Sequence, residues 1–270
     1  RFYEEKTVQP KKDIGENVML YSDRCIRCTR CIRFCDEVSG TSELGYFNRG
    51  VHNEIDVFPG ERMDNRMSGN TVDICPVGAL LDKKFLFKQR VWFLEDVDTI
   101  CPGCSTGCNV RVDMNRERIY RMVPRENLDV NDYWMCDDGR YGWGYVHSED
   151  RLLFPLKGRE SEDLILWGDA LEEVKSGLEK VVDAHGSSAV AGIASGYLTN
   201  EEQYLFGTLF KGSLAESSVA LRSTINEEGD VGFKSGFTIH ADKSPNMRGG
   251  QEILSGMGIG VAEVADIWRE

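Results

Sequence analysis

After position 136 this 270-residue chain contains no cysteine; all nine lie between 25 and 136. Basic charge is also short, with 32 Lys and Arg against 45 Asp and Glu, a formal net charge of −13. That balance argues against nucleic acid or an anionic membrane surface as the main partner. No apolar run approaches the roughly 20 residues that span a bilayer. The first residues, RFYEEKTVQPKK, carry neither an initiator Met nor a hydrophobic signal core, so Arg1 is not expected to be the true start. No Ser–His–Asp set or paired-carboxylate constellation can be argued, and there is no internal repeat. The glycine-rich GMGIG (256–260) lacks both G-x-G-x-x-G and a supporting strand, so it reads as a plain turn.

What is present is a concentration of thiols. Secreted disulfide scaffolds are short and spread their cysteines through the fold. Cysteines gathered inside one part of a long chain favour metal ligation in a reducing compartment. The densest stretch is RCIRCTRCIRFC (24–35), with four cysteines and four arginines in twelve residues. Cys25, Cys28 and Cys31 follow C-x2-C-x2-C, a spacing that aims three thiolates at three irons of one 4Fe–4S cubane. The fourth iron needs a remote ligand, and Cys75, directly before Pro76, fills that role.

Cys101, Cys104, Cys108 and Cys136 make a second complete set, C-x2-C-x3-C-x27-C, whose last gap leaves room for a hairpin. Pro102, Gly103 and Gly107 permit the close backbone approach a cluster requires. A structural zinc site is the alternative for each set. Cys35, followed by Asp36 rather than proline, is left over once both sets are filled and reads as a free buried thiol. Arg24, Arg27, Arg30 and Arg33 either sit near the anionic cluster and favour its reduced state, or turn toward solvent and acidic partners. His52, His147, His185 and His240 stand at no ligand spacing from a cysteine.

The periodicities predict an α+β fold. NVMLY (17–21) is an isolated apolar patch, and GYFNRGVHNEIDVF (45–58) is expected as a strand pair turning near Arg49–Gly50. NTVDICPVGALLD (70–82) reads as a short helix, a Cys–Pro break and a further helical turn, and KFLFKQRVWFL (84–94) as an extended connector. NVRVDM and RIYRMV flank NRE as a hairpin. In the last part, Leu171, Val174, Leu178, Val181 and Val182 recur at helical spacing and stop at Gly186. AVAGIA (189–194) has a buried-strand pattern, and Thr199 with Glu202 forms a capping box. The expected division is a ferredoxin-like 4Fe–4S segment at 1–94, a small β-rich 4Fe–4S domain at 95–150, and a partial α/β domain at 151–270.

On these motifs the chain resembles the large iron–sulfur subunit of NADH-quinone oxidoreductase, respiratory complex I, known in mitochondria as the 75 kDa subunit. RFYEEK, DRCIRCTRCIRFCDEVSG and DICPVGALLDKKF are similar to the family's segment around one cubane. CPGCSTGCNVRV with WMCDDGRYGW is similar to the cluster domain shared with molybdopterin oxidoreductases, a site that only some bacterial complexes keep ligated. The resemblance implies an electron relay without bond chemistry of its own, passing electrons from a flavin and NADH-binding subunit toward quinone-side iron–sulfur subunits. It implies two 4Fe–4S clusters here. The family's 2Fe–2S domain and a further 4Fe–4S cluster would precede Arg1, and no molybdopterin is expected in the short α/β part. It further implies a peripheral arm on the cytoplasmic side of a bacterial inner membrane, with no membrane insertion and no nucleic acid. The corresponding relay of an NAD-linked hydrogenase or formate dehydrogenase is the first alternative, a molybdopterin-dependent oxidoreductase the second, and a zinc-stabilised interaction module the third.

Overall fold

The computed structural model describes residues 3, 9–158, 163–212, 214–215, 217–262 and 264–267. Of the RFYEEK motif only Tyr3 falls among them. The architecture is α+β, as expected, and it divides into two compact units. One comprises residues 1–143 together with 228–241; the other comprises 144–227 and 242–270. Both cysteine sets lie in the first.

In the first unit, Val18–Tyr21 is the central strand of a three-stranded antiparallel sheet, flanked by Lys11–Asp13 and Leu80–Asp82. Val18 and Leu20 point into the core, at 0% and 1% exposure, beside Ile14, Met63 and Met67. Burying each such side chain contributes roughly 1.5–3 kcal/mol. Leu80–Asp82 corrects the expected helical turn after Pro76: the sheet edge offered by Val18–Tyr21 captures the segment. The connector that follows is compact rather than extended, a run of turns over 83–88 and a 3₁₀ turn at Val91–Phe93. The pair Leu44–Phe47 and Glu54–Val57 forms as expected, closed by a 3₁₀ turn at Gly50–His52.

Asn109–Asn115 and Arg118–Pro124 form the expected hairpin. Arg116 and Glu117 both take left-handed backbone, at φ 49° and 64°, the conformation that a two-residue turn matching strand twist demands. A third strand, Glu95–Ile100, pairs with Asn109–Asn115, and the periodicity gives no sign of it. All six of its residues are exposed. The short hairpin Val231–Gly232 and Thr238–Ile239 completes this unit from far along the chain, and its Phe237 and Ile239 are buried in the core that holds Cys101 and Cys108.

The second unit carries a parallel sheet in which Ser218–Arg222 lies between Ala191–Ser195 and Val261–Ala262. Helix Asn200–Lys211 opens on the full Thr199/Glu202 capping box. Helix Trp167–His185 forms where periodicity places it, but contains no buried residue. Its apolar stripe stays in solvent instead of facing a core, with Leu171 63% and Val174 60% exposed. GMGIG follows the C-terminal end of helix Met247–Gly256, consistent with a turn. Among the described residues no helix is long and apolar enough to cross a membrane.

Candidate iron–sulfur centres

The first cysteine run folds as a tight loop. A 3₁₀ turn at Ser22–Arg24 delivers Cys25, and helix Arg30–Arg33 receives Cys31. Between them Arg27 and Thr29 sit in left-handed backbone at φ 59° and 62°. Such a conformation costs non-glycine residues about 1–3 kcal/mol each and persists where the surroundings impose it. It turns the Arg27 N–H onto Cys25 Sγ, at 3.3 Å. Cys75 arrives from the opposite direction, at the end of helix Asn70–Ile74, in the extended conformation that a residue before proline adopts.

Cys25, Cys28, Cys31 and Cys75 line a single pocket. Its walls are otherwise apolar (Leu20, Ile26, Ile55, Pro76 and Leu80 among them), with Arg30 the one charged lining residue described. Cys35 is not part of this lining; it is fully buried in the adjoining core. The arginines divide. Arg30 faces the pocket, Arg24 stacks on Tyr21 and reaches Gly78 O, Arg27 reaches Val51 O, and Arg33 pairs on the surface with Glu37.

The second set is more deeply enclosed, with Cys101, Cys104, Cys108 and Cys136 all buried. Cys101 N–H donates to Cys108 O at 2.8 Å, closing the loop. Cys136 caps helix Asp137–Tyr141, its sulfur accepting from Gly139 N–H at 3.4 Å. Gly139 is the cradle: a Cβ there would stand 2.7 Å from Cys101 Sγ and 3.7 Å from Cys136 Sγ. Only a residue without one lets these thiols approach the helix.

Burial sets the electrostatics of both sets. It pushes the Cys31 thiol up to about 11, with neighbouring Cys25 and Cys75 adding to the rise. Cys136 is pushed up to about 12, and Cys101 and Cys108 are raised for the same reason. Thiolates grouped in apolar surroundings repel one another and lack solvation. Cationic irons supply the missing charge, so the donor sets fit a metal cluster. Among the described residues no group of three His, Cys, Asp or Glu is placed to hold a single metal ion. A zinc site needs its ligands within about 2.0–2.3 Å of one centre, whereas a cubane spreads four cysteines over four irons. The four histidines join neither set; His240 pairs with Asp230.

Residues that motif reading missed tie the two sets together. The Asn70 side chain donates to Met135 O at 2.8 Å and accepts from Met135 N–H at 3.2 Å. The Asp137 carboxylate accepts from Ser68 Oγ and from Gly69 N–H, and Asp137 N–H donates to Arg66 O at 2.7 Å. The 228–241 segment also reaches both: Ser235 N–H donates to Val38 O at 3.1 Å, and Thr106 Oγ1 donates to Thr238 O at 3.0 Å. Ser235–Gly236 between Phe233 and Phe237 is the turn signal that would have found this hairpin.

Residues 15–81 match the ferredoxin-like domain of NADH-quinone oxidoreductase subunit 3, and residues 94–148 match the molybdopterin oxidoreductase Fe4S4 domain. Both cysteine sets thus fall within iron–sulfur domain families, and the class of the protein is that of multi-cluster iron–sulfur proteins. The chain is homologous to the large iron–sulfur subunit of NADH-quinone oxidoreductase, as its motifs implied. It is 30% identical to an NADH-quinone oxidoreductase subunit of Streptomyces coelicolor over 258 residues, 95% of this chain and 30% of that protein. It is 33% identical to the NADH-ubiquinone oxidoreductase 75 kDa subunit of Reclinomonas americana over 225 residues, 83% of this chain and 32% of that one. It is also 32% identical to NADPH-Fe(3+) oxidoreductase subunit alpha of Geobacter sulfurreducens over 212 residues, covering 78% and 24%. The chain spans under a third of the length of each of these relatives.

Proposed function

We propose that this chain is the electron-relay part of an NADH-quinone oxidoreductase, holding one 4Fe–4S cluster on Cys25, Cys28, Cys31 and Cys75 and a second on Cys101, Cys104, Cys108 and Cys136. The observation that carries the reading is the convergence of the first four cysteines on one apolar pocket, within a segment that matches the ferredoxin-like domain of such an enzyme. The clusters supply one-electron carriers; the chain's own residues set their environment. Arg30 places a cation against the first cluster, favouring its reduced form, and N–H groups of Arg27 and Gly139 bond to ligand sulfurs.

In this reading residues 1–94 and 95–150 are the two cluster domains, and 151–270 is an α/β domain that holds no molybdopterin. Electrons arrive from a flavin and NADH-binding subunit and leave toward quinone-side iron–sulfur subunits, in a peripheral arm of a membrane-bound complex. Anaerobic purification of the native assembly tests this. Expected are about eight irons and eight acid-labile sulfides per chain, no stoichiometric zinc, and NADH:quinone activity in the same fractions. Four irons, zinc in their place, or an assembly lacking a quinone reductase would refute it.

A second reading is a relay in an NADPH-oxidising assembly that reduces a metal acceptor, favoured by the similarity to the Geobacter sulfurreducens subunit. The electron donor and acceptor used by the purified assembly separate the two. Hydrogenase, formate dehydrogenase and molybdopterin-enzyme roles draw no support from the relatives named above.

A further inference from the structure

A groove runs along the first unit between the Lys11–Tyr21 side and the turns at 85–92. Its chemistry differs from that of the whole chain. Four cations line it, Lys11, Arg24, Lys88 and Arg90, and none of them forms an ion pair among the described residues. The other two, Arg121 and Arg140, are already neutralised by Asp113 and Asp73. Four uncompensated positive charges are thus gathered in a chain of net charge −13.

Aromatic rings alternate with these cations. Lys11 Nζ and the Arg24 guanidinium lie 4.7 and 4.6 Å from the Tyr21 ring centre, and Arg90 lies 5.6 Å from that of Trp92. Trp92 is 73% exposed and Phe87 is 88% exposed. Phe87 is also held at φ +64°, a left-handed conformation that bulky side chains avoid. An aromatic ring that is both strained and presented to water has no folding rationale; it belongs to a surface prepared for contact.

We propose that this groove docks an acidic polypeptide segment carrying apolar side chains, contributed by another subunit. Charge selects the occupant: the lining cations attract carboxylates, and the acidic remainder of the chain repels a nucleic-acid polyanion. Extent selects it too, since the lining is drawn from 11–24, 72–92 and 121–140, a spread that suits a length of chain better than a compact ligand. Trp92, Tyr21, Arg24 and Arg90 are of the residue types that dominate binding energy at protein interfaces. Such docking holds whichever electron donor or acceptor the assembly uses.

The test uses the full-length protein in its native assembly, with photoreactive benzoylphenylalanine at Phe87 or at Trp92, and at exposed Leu128 as a control outside the groove. After irradiation, the crosslinked peptides are sequenced. Both groove positions are expected to label one segment of a different chain, richer in Asp and Glu than in Lys and Arg. A companion variant, Lys88→Glu with Arg90→Glu, is expected to retain that partner roughly tenfold less well, as loss of charge complementarity predicts. Its iron content should be unchanged, while Lys88→Arg with Arg90→Lys should retain the partner. Labelling no stronger than at Leu128, labelling of lipid, of a second copy or of a basic segment, or undiminished retention in the folded charge-reversed variant would overturn the proposal. Should the reversed variant lose its iron, the crosslinks alone decide.

Discussion

Asp73 and Arg140 form a buried ion pair that joins the helix delivering Cys75 to the helix following Cys136. The Arg140 Nη1 donates to Asp73 Oδ1 at 3.3 Å, and Nη2 donates to Oδ2 and to Asn70 Oδ1. The Arg140 side chain is 3% exposed and that of Asp73 30%. Gly69 makes the approach possible, since a Cβ there would stand 2.5 Å from the Arg140 Cδ and Nε atoms.

That asymmetry of burial predicts unequal effects at the two ends of the pair. Asp73→Ala strands a buried guanidinium and should destabilise the first unit by about 3–5 kcal/mol, as breaking a buried pair by removing one partner does. Arg140→Met leaves a carboxylate that already reaches water and fills part of the vacated space. It should cost clearly less. Denaturant midpoints of the two variants, followed by tryptophan fluorescence, compare them; equal losses would contradict the account.

Gly139 gives a sharper test of the second centre. Adding one methyl group in Gly139→Ala puts it 2.7 Å from Cys101 Sγ, where the backbone helix cannot yield cheaply. The variant is expected to lose the iron of the second set and keep that of the first. Gly142→Ala, at a position with nothing within 4 Å, is the control and should keep both. Iron analysis with electron paramagnetic resonance distinguishes these outcomes, and full retention in Gly139→Ala would show that the cradle does not shape the centre.

Cys35 is the thiol that neither set uses. It is fully buried outside the first pocket, and burial pushes it up to about 12, so it stays protonated at neutral pH. Cys35→Ala should therefore retain both clusters at a packing cost of about 1 kcal/mol. Cys28→Ser should lose the first cluster although Cys28 is exposed and structurally less demanding. A cluster missing from the Cys35 variant would show the ligand assignment to be wrong.

Most of the site was legible because ligand spacing is a local property. The C-x2-C-x2-C run, the Cys75–Pro76 step and the hairpin around Arg116–Glu117 are each written in a few neighbouring residues. What escaped depends on distant partners. Leu80–Asp82 became a strand because Val18–Tyr21 offered an unpaired edge, which nothing in VGALLD announces. The 228–241 hairpin joins the cysteine-bearing unit across nearly a hundred residues of α/β chain, so neither its place nor its contact with Thr106 could be read locally. The stripe on helix Trp167–His185 failed in the opposite sense: periodicity reports that a helix is amphipathic, not that anything covers its apolar face.

The proposed relay finally predicts that the two clusters differ in role. Cys25, Cys28, Cys31 and Cys75 lie in the segment matching the ferredoxin-like domain, which the family resemblance puts on the path from flavin to quinone. Cys101, Cys104, Cys108 and Cys136 lie in the segment matching the molybdopterin oxidoreductase Fe4S4 domain, which the same resemblance puts beside that path. Electron tunnelling falls steeply with distance, so losing a carrier on the path halts turnover, whereas losing one beside it need not. The second set nevertheless has structural weight: its thiols are buried with Val110, Met122 and Met135, and a cluster there closes the loop from Cys101 to Cys108 and pins helix Asp137–Tyr141. Removing the metal takes its binding free energy out of the fold. Cys28→Ala is therefore expected to abolish NADH:quinone turnover in every complex that still assembles. Cys108→Ala should lower the yield of complex while leaving turnover per assembled complex close to that of the unaltered protein. Activity normalised to assembled complex separates the two effects, and full loss of turnover in a normally assembled Cys108 variant would move the second cluster onto the path.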